Sequence, residues 1–295
     1  MSDAPAPTQH RLFSPARIAA IASNTLLELI RLKVFYFMLL FALLIIGSSA
    51  FVVKFSFQEQ FQVLKDVALG AMSIFTWLLA VLSTALLLPK DIEERTLYTI
   101  LAKPVPRLEY LLGKLLGVLA LLFIATALMS ALFAGVLYYR EQGAIAALQD
   151  MPPAEMVDAI AAVRASTFNW NLIPGIVFIY LKAALCASLT LFLSTFASTT
   201  IFTIMVSVVV YFIGHVQAIA RDYWLQGANV GAVTKTFLAF VALIFPDLQI
   251  FNVVDDIAVG AALPLAIFIK TSALGVTYIA VYFLAGYFLF QNKEL

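Results

Sequence analysis

The stretch LLGVLALLFIATALMSALFAGVLYY, Leu115–Tyr139, runs without a single charged residue. A bilayer's hydrocarbon core is about 30 Å thick, so a helix needs about 20 mostly apolar residues to cross it. This segment is long enough, and two others share its character: Val34–Val53 and Val67–Pro89 also carry no charge. The region Leu172–Ala220 holds only Lys182 and His215 as ionisable cations and is too long for one crossing. The small polar run Ser194-Thr195-Phe196-Ala197-Ser198-Thr199-Thr200 is a natural turn that divides it. A last apolar run lies within Thr271–Asn292. The expected fold is therefore an all-α integral membrane protein with six transmembrane helices, at about 34–53, 67–89, 115–139, 172–194, 199–219 and 268–291.

Composition agrees. Hydrophobic residues are 63% of the chain and charged residues 12%, with a mean hydropathy of +1.00. A soluble domain is about a quarter charged, so too few charges are present here to cover a water-facing surface. The net charge of +1 gives no electrostatic case for binding nucleic acid. With one cysteine, Cys186, and two distant histidines, His10 and His215, neither a zinc site nor a Cys/His nucleophile pair is expected. A membrane-embedded enzyme needs clustered His, Asp or Glu at the membrane face, and the sequence offers none. No cleavable leader is expected, because the first apolar run follows 33 polar-to-amphipathic residues and is long enough to span.

Residues 1–33 form an N-terminal segment ending in an amphipathic helix. Ser14 can cap that helix and Pro15 suits its first turn. At 100° per residue, Arg17, Asn24, Glu28 and Arg31 share one stripe, opposite Ile18, Ala22, Leu26 and Leu29. Such a helix is expected to lie on the membrane with its apolar side down. Lysine and arginine favour the cytoplasmic side of connecting segments. With six spans, ten of them fall on the side of the termini and six on the other, five of the ten between residues 90 and 114. Both termini are therefore expected in the cytoplasm. Between spans five and six, Phe237–Phe245 is apolar but short, stopped by Pro246 and Asp247, and reads as a re-entrant or outer segment. Asp255 and Asp256 belong to the same outer stretch.

The connection at 90–114 carries the most information. Asp91, Glu93 and Glu94 would suit the N-terminus of a short helix, where negative charge is favoured. Lys103 stands where that helix should stop, since Pro104 disfavours a helical residue before it. A stiff Pro104-Val105-Pro106 strap then leads into the third span. On residues alone, a solvated loop of mixed charge is the simpler reading of this stretch.

The run Asp91–Gly117 resembles ABC-2 type transporter permeases. It carries Glu94, Thr96-Leu97, Leu101, Lys103-Pro104-Val105, Arg107, Tyr110 and Gly113-Lys114 in that family's order. Pro106 stands where the family more often has Ser, and Arg95 where Gly is common. The ending Phe290–Leu295 is similar to the family's last span running into a short charged tail. The resemblance implies two six-span subunits, identical or different, paired in the bilayer and each resting on a separate cytoplasmic ATPase that binds ATP and Mg. It implies that Asp91, Glu93, Glu94, Arg95, Thr96, Lys103 and Arg107 form the coupling contact with that ATPase, and that its closure drives alternating access, in the direction of export. The chain itself has no Gly-x-x-x-x-Gly-Lys-Ser/Thr, since Gly113-Lys114 is followed by leucine and lacks the upstream glycine, so ATP would bind elsewhere.

A charge inside the bilayer costs about 2.5–3.5 kcal/mol on insertion scales, which makes Lys182 the most expensive residue in these spans. It either faces a translocation path or subunit interface, or snorkels to the surface along its apolar stem. His215 is a second candidate for the path, against a simpler reading as a hydrogen-bonded packing residue. The rival to an ATPase-driven permease is a secondary transporter or channel. Those often show internal repeats and several buried charges. No repeat is visible here and Lys182 stands alone.

Overall fold

The computed structural model describes residues 14–51, 57–93, 105–149, 152–197, 199–226, 245–253 and 263–291, together with the isolated positions 233, 236 and 257. Among these residues there is no strand. Eight α-helices follow in order: α1 (Pro15–Ile30), α2 (Lys33–Ser48), α3 (Phe57–Glu93), α4 (Arg107–Ala146), α5 (Pro153–Thr167), α6 (Leu172–Phe196), α7 (Thr200–Gln226) and α8 (Leu265–Gln291). Six of them, α2, α3, α4, α6, α7 and α8, are long and apolar enough to cross a membrane.

The centre of the bundle is α3 and α6, which pack on each other; α6 also packs on α8, and both contact α4 and α7. The outer helices α2, α7 and α8 bury little of themselves. Their outward faces, such as Phe37, Leu40, Phe41 and Leu44 on α2 and Met205, Val209, Phe212 and Val216 on α7, are apolar and exposed. That surface suits lipid chains and would be intolerable in water.

Two layers bracket the crossing. At the proximal end, which carries Ser14 and Gln291, charged side chains gather around Asp91, Arg107 and Lys114. At the distal end Tyr139 is 72% exposed and Trp170 76% exposed, the placement expected of aromatic anchors at a lipid–water boundary. Lys114 and Tyr138 are 24 positions apart on α4, or about 36 Å at 1.5 Å per residue, which matches a bilayer's core and part of its interface. Helices α3 and α4 overrun that thickness at the distal end and stack with α5. There Lys65 Nζ donates to the Ser166 carbonyl at 2.7 Å, and Arg140 donates to Gln60 at 2.9 Å. An apolar-run reading does not pick out α5, because its pattern is that of a short surface helix.

The structure bears on three further expectations, of which the first two change. First, α3 does not stop at Pro89. It continues to Glu93, so Asp91 and Glu93 end a long helix rather than begin a short one. Proline removes one backbone hydrogen bond, but the next turn is held by tertiary contacts at Lys90 and Asp91, described below. Second, the polar stripe of α1 is not simply turned to water. Ile18, Thr25 and Leu29 are buried, and the helix lies along the first half of α4, with Arg17 and Glu28 reaching across to it and to α3. Third, residues 237–244 and Asp255–Asp256 lie outside the described residues, but the stretch between them is partly visible. Asp247 caps a 3-10 turn, Leu248–Phe251, by accepting from the Gln249 N–H at 3.0 Å. Leu248 and Phe251 are buried against α6 and α7, and Phe251 meets Phe178 edge to face at 6.2 Å. This segment therefore folds back into the bundle.

Candidate functional site at the roots of the 90–114 connection

Residues 94–104 lie outside the described residues, and so do the side chain of Glu93 and all of Glu94, Arg95, Thr96 and Lys103. The two roots of the connection are described, and each is tied to its neighbours. On the first root, Lys90 Nζ lies 2.6 Å from Glu28 Oε1 of α1. Asp91 is buried, accepts from the Tyr110 hydroxyl, and has Lys114 Nζ 2.7 Å from Oδ2. Lys114 also faces Glu28 at 3.7 Å and lies 5.8 Å from the centre of the Tyr110 ring. Two carboxylates, two ammonium groups and a phenol thus close one network across α1, α3 and α4. Inside a protein such groups stay buried only when their charges and hydrogen bonds are matched.

On the second root, Arg107 donates from Nη1 to the Phe290 carbonyl at 2.9 Å and to the Gln291 carbonyl. Those oxygens belong to the last turn of α8, where a cation is favoured by unpaired carbonyls and the helix dipole. The guanidinium also lies 5.9 Å from the Phe290 ring centre, and Tyr110 stacks on that ring at 6.0 Å. Two positions on, Glu109 is 1% exposed. It receives the Ser14 N–H at 2.7 Å and two bonds from Arg17, at 2.6 and 2.8 Å. This fork-to-carboxylate geometry holds the Arg17 charge in place: hydrogen bonding to Glu109 raises its pKa above the ordinary arginine value.

The seat for α1 is cut by two glycines. A side chain on Gly113 would put its first carbon 2.7 Å from Ile21, and one on Gly117 would meet Thr25 at 2.7 Å and the Ala22 carbonyl at 2.8 Å. Glycine four residues apart lets two helices approach until their backbones nearly touch. The pair singled out in the sequence as Gly113-Lys114 thus has two separate tasks: the glycine admits α1, and the lysine binds Asp91.

Of the positions named in the sequence, the structure brings Asp91 and Arg107 to the two roots. It adds Glu28, Lys90, Glu109, Tyr110 and Lys114. Charge and spacing could flag those residues but not pair them.

Lys182 is placed far from this layer. It is ten positions from the start of α6 and fourteen from its end, about 15 and 21 Å along the helix. It is 3% exposed, so it does not reach lipid. Its ammonium lies 6.0 Å from the ring centre of Tyr211 on α7. Trp77 of α3 stacks on Tyr211 at 3.9 Å with 23° between the planes, and the His215 ring is 4.2 Å away. His215 Nδ1 lies 3.0 Å from the Tyr211 carbonyl oxygen. His215 therefore has the backbone partner of a packing residue while sharing the aromatic cluster beside Lys182.

Comparison with curated proteins finds no match. The sequence pattern of the ABC-2 family transporter proteins matches residues 19–295, nearly the whole chain, including α1 from its second turn and all six crossing helices. The protein therefore belongs to the ABC-2 transporter family, as an integral membrane subunit whose partners are an ABC ATPase and the bilayer.

Proposed function

We propose that the chain is the permease subunit of an ABC exporter. It works as a dimer of six-span subunits, alike or different, in a bacterial inner membrane with both termini cytoplasmic. ATP and Mg bind the partner ATPase. The domain division is residues 1–33 as the amphipathic N-terminal segment, 34–292 as the permease, and 90–114 as the coupling connection. Export is the direction carried over from the family resemblance.

One observation carries the coupling role. Both roots of the connection are bonded to other helices: Lys90 and Asp91 to α1 and α4, Arg107 and Tyr110 to α8 and α3. A displacement that a closing ATPase pair delivers to Asp91 or Arg107 is passed on to α1, α3, α4 and α8 together. That is the requirement for switching a bundle between two accessible states.

The test is charge reversal where the contact is expected. A Glu94→Lys, Arg107→Glu protein should insert normally but bind its ATPase at least about a hundredfold more weakly, since like charges across an interface cost several kcal/mol. Normal ATPase binding with coupled transport in that protein removes the segment from the contact. If no P-loop ATPase co-purifies with the unaltered chain, the ATPase-independent transporter is the better reading.

Orientation has its own check. Single cysteines at Gln9 or within Arg95–Lys103 should react with an impermeant maleimide only from the cytoplasmic side, and those at Glu59 or Met151 only from outside. Cys186 is buried and should stay silent. Reversed labelling overturns the orientation.

A further inference from the structure

We infer that the layer around Lys182 is a binding site for the acidic group of an amphiphile, a carboxylate or phosphate on an apolar body. The inference rests on the transporter reading and gives it a cargo chemistry. Lys182 is fully inside the bundle at mid-bilayer depth, and among the described residues no carboxylate lies within ion-pair distance of it. Its ammonium lies 6.0 Å from the centre of the Tyr211 ring. Around the same ring stand two further buried groups without hydrogen-bond partners among the described residues: the Trp77 indole Nε1, a pure donor, and the Ser207 hydroxyl.

Trp77 comes from α3, Lys182 from α6, and Tyr211 and Ser207 from α7. Fourteen residues separate Trp77 from Asp91 and Lys182 from Phe196, so both stand about 21 Å above the proximal layer. Ser207 and Tyr211 line a small cavity walled by Val81, Leu185, Leu189 and Leu248, to which Lys182 and Trp77 are adjacent through Tyr211 rather than as lining residues.

A cation and an N–H flank the Tyr211 ring, and the Ser207 hydroxyl lies one turn away on α7. Among the described residues no carboxylate is ion-paired with Lys182, and the buried Asp247 lies between Pro246 and Leu248 of the neighbouring cavity. Bilayer interiors tolerate such groups when they face a partner. An acidic head supplies the missing acceptor oxygens, and the surrounding leucines and valines suit an alkyl chain. A cationic cargo would face the Lys182 charge, and a neutral one would leave the ammonium uncompensated.

The test uses the full chain with Trp170 and Trp224 replaced by Phe, so that Trp77 is the only indole. It is placed in phosphatidylcholine nanodiscs and titrated with laurate or lauryl alcohol. Laurate should change Trp77 emission saturably. Lys182→Met should weaken that response about tenfold or more, the usual size for losing a charged hydrogen-bonding partner. Lys182→Arg should keep most of it, and Ser207→Ala should weaken it less. If the same Lys182-dependent change appears without laurate when phosphatidylglycerol replaces phosphatidylcholine, the acidic group is a resident lipid's and the site stands.

An equal response to lauryl alcohol, or a laurate response that survives Lys182→Met, overturns the site. So does silence toward both laurate and phosphatidylglycerol in a protein whose Lys182→Arg form is folded by gel filtration. The assay needs no ATPase. A failure of the ABC exporter reading would appear as missing ATPase partnership with binding intact, and a failure of the site as missing binding with partnership intact.

Discussion

Lys114→Met should destabilise the protein by about 3–5 kcal/mol, the cost of stranding one member of a buried ion pair. Lys114 and Asp91 are 2.7 Å apart and both buried, with Glu28 3.7 Å from the same ammonium. Removing the lysine takes away the ammonium 2.7 Å from the Asp91 carboxylate, while the bond from the Tyr110 hydroxyl stays. The loss should appear in thermal unfolding in nanodiscs. A second substitution, Asp91→Asn, should recover much of it, because the amide oxygen still accepts from Tyr110 and no charge is left unpaired. The recovered double variant should still be impaired in coupling, since the charged tie between the first root and α4 is gone even though Lys90 still pairs with Glu28. A Lys114→Met protein as stable as the parent would mean that water reaches this network and that the roots are looser than the geometry shows.

Gly117→Val should unseat α1. Even the first added carbon meets Thr25 at 2.7 Å and the Ala22 backbone carbonyl at 2.8 Å, and neither can swing aside. Overpacking of this kind costs about 1–3 kcal/mol, occasionally more, and here it falls on the contact that docks one helix. A cysteine at Leu29, which is 1% exposed, should be protected from maleimide in the parent and reactive in the variant. Transport should fall with it, while the six crossings insert as before. Gly135 on the same helix has open space around it, so Gly135→Ala should be silent or slightly stabilising. Protection of Leu29 in Gly117→Val would show that α1 is not held by this seat.

Some of this was legible residue by residue. Leu115–Tyr139 and its counterparts state their solvent by composition, because a bilayer core makes the same demand on every segment that crosses it. The α1 helix is announced by its 3.6-residue pattern and by Pro15 at its start. The two termini of α3 and α4 were less so. Pro89 and the acidic run after it read as a break, whereas α3 passes through to Glu93.

What the sequence determined by itself was the solvent, the number of crossings and the family, since hydropathy and the Asp91–Gly117 pattern are local properties of the chain. Only the tertiary structure decided which charges face which. Glu28 reads as the polar side of a surface helix until Lys90 and Lys114 are brought to it from 62 and 86 positions away. Lys182 reads equally as a snorkelling residue until α7 lays Tyr211 beside it. Periodicity reports how a helix divides its own faces. What covers each face depends on helices distant in sequence, and in a low-dielectric interior that covering fixes whether a charge is tied down or left open to a ligand.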